Sequence, residues 1–481
     1  MNKLTCANLV AKGRHIPVPF CVKVVEGDGE REIKIDTLLR VVPGKRLIGI
    51  SSWKDSAVII KLFFHTRYWK RDFFRDVRGI NLLLQYHIPT PKILNQTTTS
   101  DGRGGVLVID YLQQGVSLGS LFEEAHYEEA RCDDVMKRVL AVIGDCHRSG
   151  IWQKDMHLHN FMLVDKGVYL LDGGDIQAVD GGLKLDSALD NLAVFFAQFP
   201  VSRDARIGEW LEYYQQKGLK LTPRATIGMN ERIRGARKRR IAHFEKKLFR
   251  STTANRCIRT SNRFVVYDRA IHSSKLESFI ENPDEFINEE NLIKAGNTST
   301  VGEIRIGDRE FILKRYNIKS FWHGLTRLFK ASRAQHSWRN AWVLEMLGIA
   351  TPHPCLMLEE RLLWLFRRKA FFLTEKVPAP NIFQCLKTGG ELEVDIDSLV
   401  EAFQELFDAL NDYQISHGDM KATNFIFNDQ KLYVLDLDAM HRHKLKSKFI
   451  DAQAKDMSRF QRNWQDGKLE PIFGLLSIQD E

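Results

Sequence analysis

Long apolar runs are missing from this 481-residue chain. No uncharged stretch approaches the roughly 18 residues that would span a bilayer as a helix. The opening residues, MNKLTCANLVAKGRH, lack an apolar core followed by a small-residue cleavage site, so no secretory leader is expected. Cysteine is sparse: seven, an odd number, scattered and without a C-x-x-C pair. That argues against a disulfide framework and a zinc site, and points to a reduced, cytoplasmic protein. Acidic charge is in deficit, with 61 Asp and Glu against 70 Lys and Arg, a net charge of +9. Such a balance calls for an anionic partner: nucleic acid, anionic lipid or a phosphorylated metabolite. Zinc-finger spacing is absent and the aromatics are not arranged as an RNA-binding sheet motif, so nucleic acid is not expected.

What the chain does contain is a core-forming composition, 44% apolar, at a length that suits two ordinary domains. It also contains a repeat. SHGDMKATNFIFNDQKLYVLDLD, from Ser416 to Asp438, has an earlier echo in IWQKDMHLHNFMLVDKGVYLLDGGD, from Ile151 to Asp175. Asp155, Asn160 and Asp172 share the spacing of Asp419, Asn424 and Asp436, at an offset of 264 residues. Upstream, Val135, Val139, Val142, Ile143 and Cys146 form a helical stripe matched by Leu399, Phe403, Leu406, Phe407 and Leu410. HIPTP (His87 to Pro91) corresponds to GIATP (Gly348 to Pro352) at offset 261. Each follows a helix-like segment, and before that come strand-like VIIKLF with Lys61 and FILKRY with Lys314. This is a duplication in two copies, not a solenoid of short periods. The expected domains are residues 1–230 and 251–481, joined by the basic segment 231–250. Arg232 to Arg250 holds nine Lys and Arg against one acid. It reads as a solvated helix face, or as a cluster meeting anionic lipid or phosphorylated sugars.

The order of these residues suits phosphoryl transfer. That chemistry needs cations on a triphosphate, oxygen ligands for magnesium and a carboxylate that orients the acceptor hydroxyl. Asp155 and Asp419 are the candidate acceptor-orienting residues. Asn160 and Asp172, and Asn424 and Asp436, are the candidate metal ligands. Lys61 and Lys314 are the candidate phosphate-binding cations, at strand positions typical of kinase sites. Asp and Asn also cap turns, but the full ordered set occurring twice outweighs that reading. Alignment on the TP turn offers Lys61 a helix partner, Asp76, and gives Lys314 only Ser337 at that position, with Glu345 as another candidate. Asp438 is a further ligand or a surface residue. The phosphate loops, sought in LIGISSWKDSAVIIK and IKAGNTSTVGEIRIGDREFILK, are poor in glycine.

These motifs resemble the lipopolysaccharide kinase (Kdo/WaaP-like) family, and the resemblance runs through both halves. It implies an α+β fold with two tandem protein-kinase-like bilobal domains, one or both active. It implies ATP and Mg2+ as cofactors, and heptose or Kdo of the lipopolysaccharide inner core, or a lipid-linked sugar, as substrate. The same comparison singles out Asp190 and Asp456 as residues that brace the catalytic loop, or else cap helices. It adds an acyl carrier protein as a lesser expected partner. Cationic, aromatic stretches follow both lysines: FFHTRYWKRDFFR, and KSFWHGLTRLFKASR with Phe321, Trp322, Leu325, Leu328 and Phe329 on one helical face. Either packs on a sheet or lies on an anionic inner-membrane surface. Two other functions stay open: a pseudokinase scaffold for core-biosynthesis enzymes, and a kinase for another small hydroxylated molecule.

Overall fold

In the computed structural model both lysine segments are strands, Ser56–Phe63 and Arg309–Tyr316. The structure describes residues 2–125, 128–317, 331–362, 366–387 and 396–464. The expected amphipathic stretch around Phe321, Trp322, Leu325, Leu328 and Phe329 lies outside the described residues. The chain divides into two units: Met1–Gln198 with Ala205–Ile233, and Phe199–Asp204 with Arg234–Glu481.

The first unit contains a seven-stranded sheet. Its spatial order is Asn2–Lys3, Phe20–Glu26, Gly29–Val42, Arg46–Trp53, Ser56–Phe63, Gly105–Asp110, Ile93–Thr98. All pairings are antiparallel except the first. The pleat sends alternate side chains to opposite faces. Val58, Ile60 and Leu62 enter one core with Phe20, Val24 and Val108. Ile59 and Phe63 pack on the opposite face, against helix Trp69–Gln85. Lys61 shares their parity, so it faces that helix. The helix forms because Trp69, Phe73, Val77 and Ile80 recur at helical spacing and are buried together. Around the catalytic-type loop, helix Glu129–Arg148 buries Val135, Val139, Ile143 and Cys146.

A second seven-stranded, fully antiparallel sheet belongs to the second unit. It runs Asn255–Arg259, Arg263–Asp268, Pro354–Leu362, Phe366–Glu375, Arg309–Tyr316, Ser299–Ile306, Leu292–Ala295. Phe311 and Leu313 enter one core with Val265 and Phe279. Tyr316 enters the other, with Trp338 and Leu344 of helix Arg333–Leu347. Lys314 has the parity of Tyr316 and so lies on the helix side. Helix Ile396–Asp412 buries Leu399, Phe403, Leu406 and Leu410 in that larger core.

The TP turns have a mechanical role in both units. Thr90 Oγ1 donates to the Leu170 carbonyl at 2.8 Å, and Leu170 N–H donates to the Pro89 carbonyl at 2.8 Å. Thr351 Oγ1 donates to the Val434 carbonyl at 2.8 Å, and Val434 N–H donates to the Ala350 carbonyl at 2.9 Å. Each turn therefore ties the end of the lysine-facing helix to the strand that leads into Asp172 or Asp436.

The basic segment is helix Met229–Glu245 and not a uniformly solvated face. Arg237 is fully buried. It bonds Asp204 at 2.8 and 2.9 Å, the Tyr413 hydroxyl at 2.7 Å and the Phe199 carbonyl at 3.1 Å. All seven cysteines are free thiols. Among the described residues no helix is long and apolar enough to cross a membrane.

Candidate active site

In the first unit, Lys61 Nζ reaches Asp76 Oδ2 at 3.0 Å and Oδ1 at 3.3 Å. Both side chains are almost fully buried. Deleting either would strand a buried charge, at a cost of about 3–5 kcal/mol. Asp172 lies within Lys61's field and accepts the Gly174 N–H at 3.0 Å. Burial opposes its ionisation, yet Lys61, that N–H, Arg46 and Arg40 hold the carboxyl below its ordinary range.

Asp76 can reach Lys61 because helix and loop touch through bare backbone. A Cβ on Gly79 would sit 1.7 Å from the Gly173 carbonyl oxygen. A Cβ on Gly173 would sit 2.7 Å from the Asp76 carbonyl oxygen.

Asp155 is exposed, at the start of the loop before the short helical turn Leu158–Asn160. Asn160 Nδ2 donates to the Asp155 carbonyl at 3.2 Å, and Leu171 N–H donates to the Asn160 carbonyl at 2.8 Å. These bonds bring Asn160 beside the Asp172 strand. They also use the amide nitrogen, which leaves the amide oxygen as the atom available to a cation.

The second unit repeats this loop closely. Asn424 Nδ2 donates to the Asp419 carbonyl at 2.8 Å, and Leu435 N–H donates to the Asn424 carbonyl at 2.9 Å. Asp419 is half-buried and pairs with Lys421 at 3.0 Å and Arg459 at 3.1 Å. His417 Nε2 bonds the Leu435 carbonyl at 2.9 Å, and its Nδ1 accepts the Asp419 N–H at 3.2 Å. Gly418, at φ +81°, turns the chain where a Cβ would lie 2.9 Å from the Ala439 carbonyl oxygen. Asp436 holds φ +55°, a conformation costing a non-glycine residue about 1–3 kcal/mol.

Around Lys314 the units diverge. Lys314 bonds Asp436 and, at 3.3 Å, Asp438. Ser337 does not reach it. That hydroxyl hydrogen-bonds Tyr316 at 2.8 Å. The other candidate, Glu345, pairs instead with His353 at 2.6 Å, because it lies on the turn of the helix nearest the TP loop. Asp438 is no surface residue: its side chain is 7% exposed and also binds Arg333 at 2.6 Å. Burial disfavours the Asp436 anion, but Lys314 beside it, with His417 and Arg333, holds its pKa below the usual carboxylate value.

The expected loop braces separate as well. Asp456 is buried and accepts His417 N–H at 2.7 Å and Gly418 N–H at 2.9 and 3.1 Å. Asp190 does no such work, because its helix turns it outward to Arg232 at 2.6 Å. The neighbouring Asn191 takes the inward position, donating to the Gln153 carbonyl at 2.8 Å and accepting from His147 at 3.0 Å.

In the first unit, a second hairpin turn stands beside the segment expected to be the phosphate loop. LIGISSWKDSAVIIK forms the hairpin that leads into the lysine strand. The turn before it is Val42-Pro43-Gly44-Lys45, closed by Lys45 N–H to the Val42 carbonyl at 3.0 Å with Gly44 at φ +67°. A Pro-Gly pair is the signature of such a turn. It is flanked by the two arginines whose fields reach Asp172, Arg40 and Arg46.

One carboxylate and one carboxamide per loop fit magnesium, which takes few protein oxygens and fills its shell with phosphate and water. Among the described residues no group of three or more His, Cys, Asp or Glu that could hold a metal ion is present.

Residues 278–471 match the model of the lipopolysaccharide kinase (Kdo/WaaP) family. That stretch of the chain is Kdo/WaaP-like. It is also similar to plant kinases over short stretches. It is 27% identical over 112 residues to calcium-dependent protein kinase 7 of Oryza sativa subsp. japonica, covering 23% of this chain and 20% of that protein. It is 27% identical over 79 residues to calcium-dependent protein kinase 26 of Arabidopsis thaliana, covering 16% of each. The chain thus spans a fifth or less of the length of these relatives. A solved structure of WaaP in complex with acyl carrier protein is 17% identical, with a TM-score of 0.33, covering 42% of this chain and 88% of that one.

Proposed function

We propose that this chain is an ATP- and magnesium-dependent kinase that phosphorylates a heptose or Kdo hydroxyl of the lipopolysaccharide inner core. We read it as two tandem protein-kinase-like domains. The observation that carries this reading is the recurrence, within each unit, of a strand lysine and of an Asp–Asn loop tied by the same hydrogen bonds to the segment carrying the following aspartate. The family match over residues 278–471 supports the substrate class.

In this reading Asp155 and Asp419 orient the acceptor hydroxyl and take its proton. Lys61 and Lys314 neutralise phosphate oxygens. Asn160 with Asp172, and Asn424 with Asp436, would hold the cation. When bound, magnesium supplies charge neutralisation of the transferring phosphoryl group. Positioning and electrostatics do the rest, without a covalent enzyme intermediate.

The exposed flank of helix Trp69–Gln85 supports a peripheral site of action at the cytoplasmic face of the inner membrane. Arg67, Lys70, Arg71, Arg75 and Arg78 are exposed there beside Tyr68 and Phe74. Cations with interspersed aromatics suit an anionic lipid surface carrying a lipid-anchored sugar. An acyl carrier protein, the partner of WaaP in the solved complex, enters here as a candidate partner. Copurification tests it.

The decisive experiment incubates purified protein with ATP, Mg2+ and dephosphorylated core oligosaccharide. ATP consumption and a phosphorylated sugar by mass spectrometry are expected. Absence of both, with partner enzymes still captured, would leave the scaffold reading in place.

A further inference from the structure

The two units solve one electrostatic problem differently, each with its own partners for the strand lysine. A strand lysine facing buried carboxylates needs a partner that holds it near the phosphate position. In the first unit that partner is Asp76 on the helix, and the loop position two residues after Asp172 is Gly174. In the second unit the helix position is Ser337, and the loop position two residues after Asp436 is Asp438. Acid and small residue have changed places.

The geometry of the first unit shows why the exchange works. A Cβ built on Gly174 would lie 3.8 Å from Asp76 Oδ1. A side chain at that loop position therefore projects toward the place where the helix carboxylate sits. In the second unit a carboxylate does project from there, reaching Lys314 at 3.3 Å and Arg333, at the start of the helix, at 2.6 Å.

We propose that Asp438 is the positioning carboxylate for Lys314, a relocation onto the loop of the task that Asp76 serves from the helix. Its consequence for nucleotide binding rests on the phosphotransfer reading above. Without Asp438, Lys314 would rest on Asp436 alone and compete with the cation for that carboxylate. With Asp438 in place the lysine is shared between the two carboxylates.

The test uses the full chain carrying Lys61→Met, so that only the second unit reports on nucleotide. Asp438→Gly should raise the Mg2+ concentration that half-saturates binding of a fluorescent ATP analogue by about tenfold, the effect of roughly one unit of lost charge complementarity. Adding Ser337→Asp to that variant should recover most of the loss. Asp438→Asn, which keeps the side chain's shape, should behave as Asp438→Gly.

A second measurement needs no nucleotide. Asp438→Gly should lower the unfolding temperature when Lys314 is present and lower it less than half as much in a Lys314→Met chain. An equal loss in both backgrounds means that Asp438 serves Arg333 only, and overturns the proposal. Failure of Ser337→Asp to recover either reading in a folded protein overturns it too. If the stability coupling appears while no variant binds nucleotide, Asp438 keeps its role and the phosphotransfer reading of the second unit falls.

Discussion

The two units keep the same candidate site residues and brace them by different means. In the first, helix Trp69–Gln85 and the loop after Asp172 meet backbone to backbone, through Gly79 and Gly173. In the second, the helix position equivalent to Gly79 is Asn340, whose amide donates to the Leu437 and Met440 carbonyls at 2.8 and 3.0 Å. One contact depends on the absence of a side chain and the other on a particular side chain. The loop braces show a similar exchange. Asn191 presents an N–H to a carbonyl, where Asp456 presents oxygens to two N–H groups. A brace is interchangeable as long as donor still meets acceptor. The reactive Asp, Asn and Lys are not interchangeable in this way, because their partners in the proposed chemistry are phosphate, metal and hydroxyl.

That contrast can be broken first at the reactive residues. Asp155→Ala and Asp419→Ala should each remove the turnover of its own unit by about 10²–10⁴-fold, the usual worth of a general base. The double variant should consume ATP no faster than background. If one single variant alone abolishes turnover, the other unit is a binding or regulatory module.

The braces come next. Asp456→Ala takes the acceptor from the buried His417 N–H and from the Gly418 N–H, and should cost about 2–4 kcal/mol in denaturant unfolding. Asn191→Ala should cost about 1–3 kcal/mol, because the bonds it loses are between neutral groups. Equal losses would erase the distinction between a charged and a neutral brace.

Gly79→Ala should push the helix off the loop and cost about 1–3 kcal/mol by overpacking. It should also weaken nucleotide binding to the first unit by displacing Asp76. Asn340→Ala, the counterpart, makes no clash and should leave Lys314 paired.

The smallest effect is the loss of stability at alkaline pH that His353 gives the second unit. His353 bonds Glu345 at 2.6 Å and Asp268 at 3.3 Å, and Glu345 above all raises its pKa to about 9. The folded value exceeds the unfolded one, near 6.5. The contribution is therefore complete below about pH 6.5 and is lost as pH rises through about 9. After allowance for solvent screening it amounts to about 1–2 kcal/mol. His353→Gln should lower the unfolding temperature at pH 6 and leave it nearly unchanged at pH 10. The first unit has Lys92 at the equivalent position and should show no such dependence.

Much of this was legible in the chain alone. The lysine strands, the lysine-facing helices and the loop of Asp155 and Asn160, or Asp419 and Asn424, fall where periodicity and spacing put them, because both signals are local. The pairing of Lys61 with Asp76 was readable from alignment on the TP turn. Asp456 was readable, but its supposed twin Asp190 was not an equivalent. One residue of slip on a helix turns a side chain by about 100°, and Asn191 took the inward direction. Arg40, Arg46 and the Pro-Gly turn were missed. The arginines' fields act on a carboxylate more than a hundred residues further along the chain, and nothing local in the sequence announces that. Asp438 was noticed but not placed, since a carboxylate two residues along a loop can face water or core.

By itself the sequence determined the inventory and its order: strand lysine, helix, TP turn, and the loop carrying aspartate, asparagine and aspartate, set down twice. These depend on side-chain identity, strand parity and short spacings, all of which a linear chain carries. Only the tertiary structure decided which carboxylates hold Lys314, that Asn191 and not Asp190 braces the first loop, and where a glycine is compulsory. Those choices are made between residues tens to more than a hundred positions apart, where the arrival of a partner depends on how sheet and helix pack and not on anything written beside the residue.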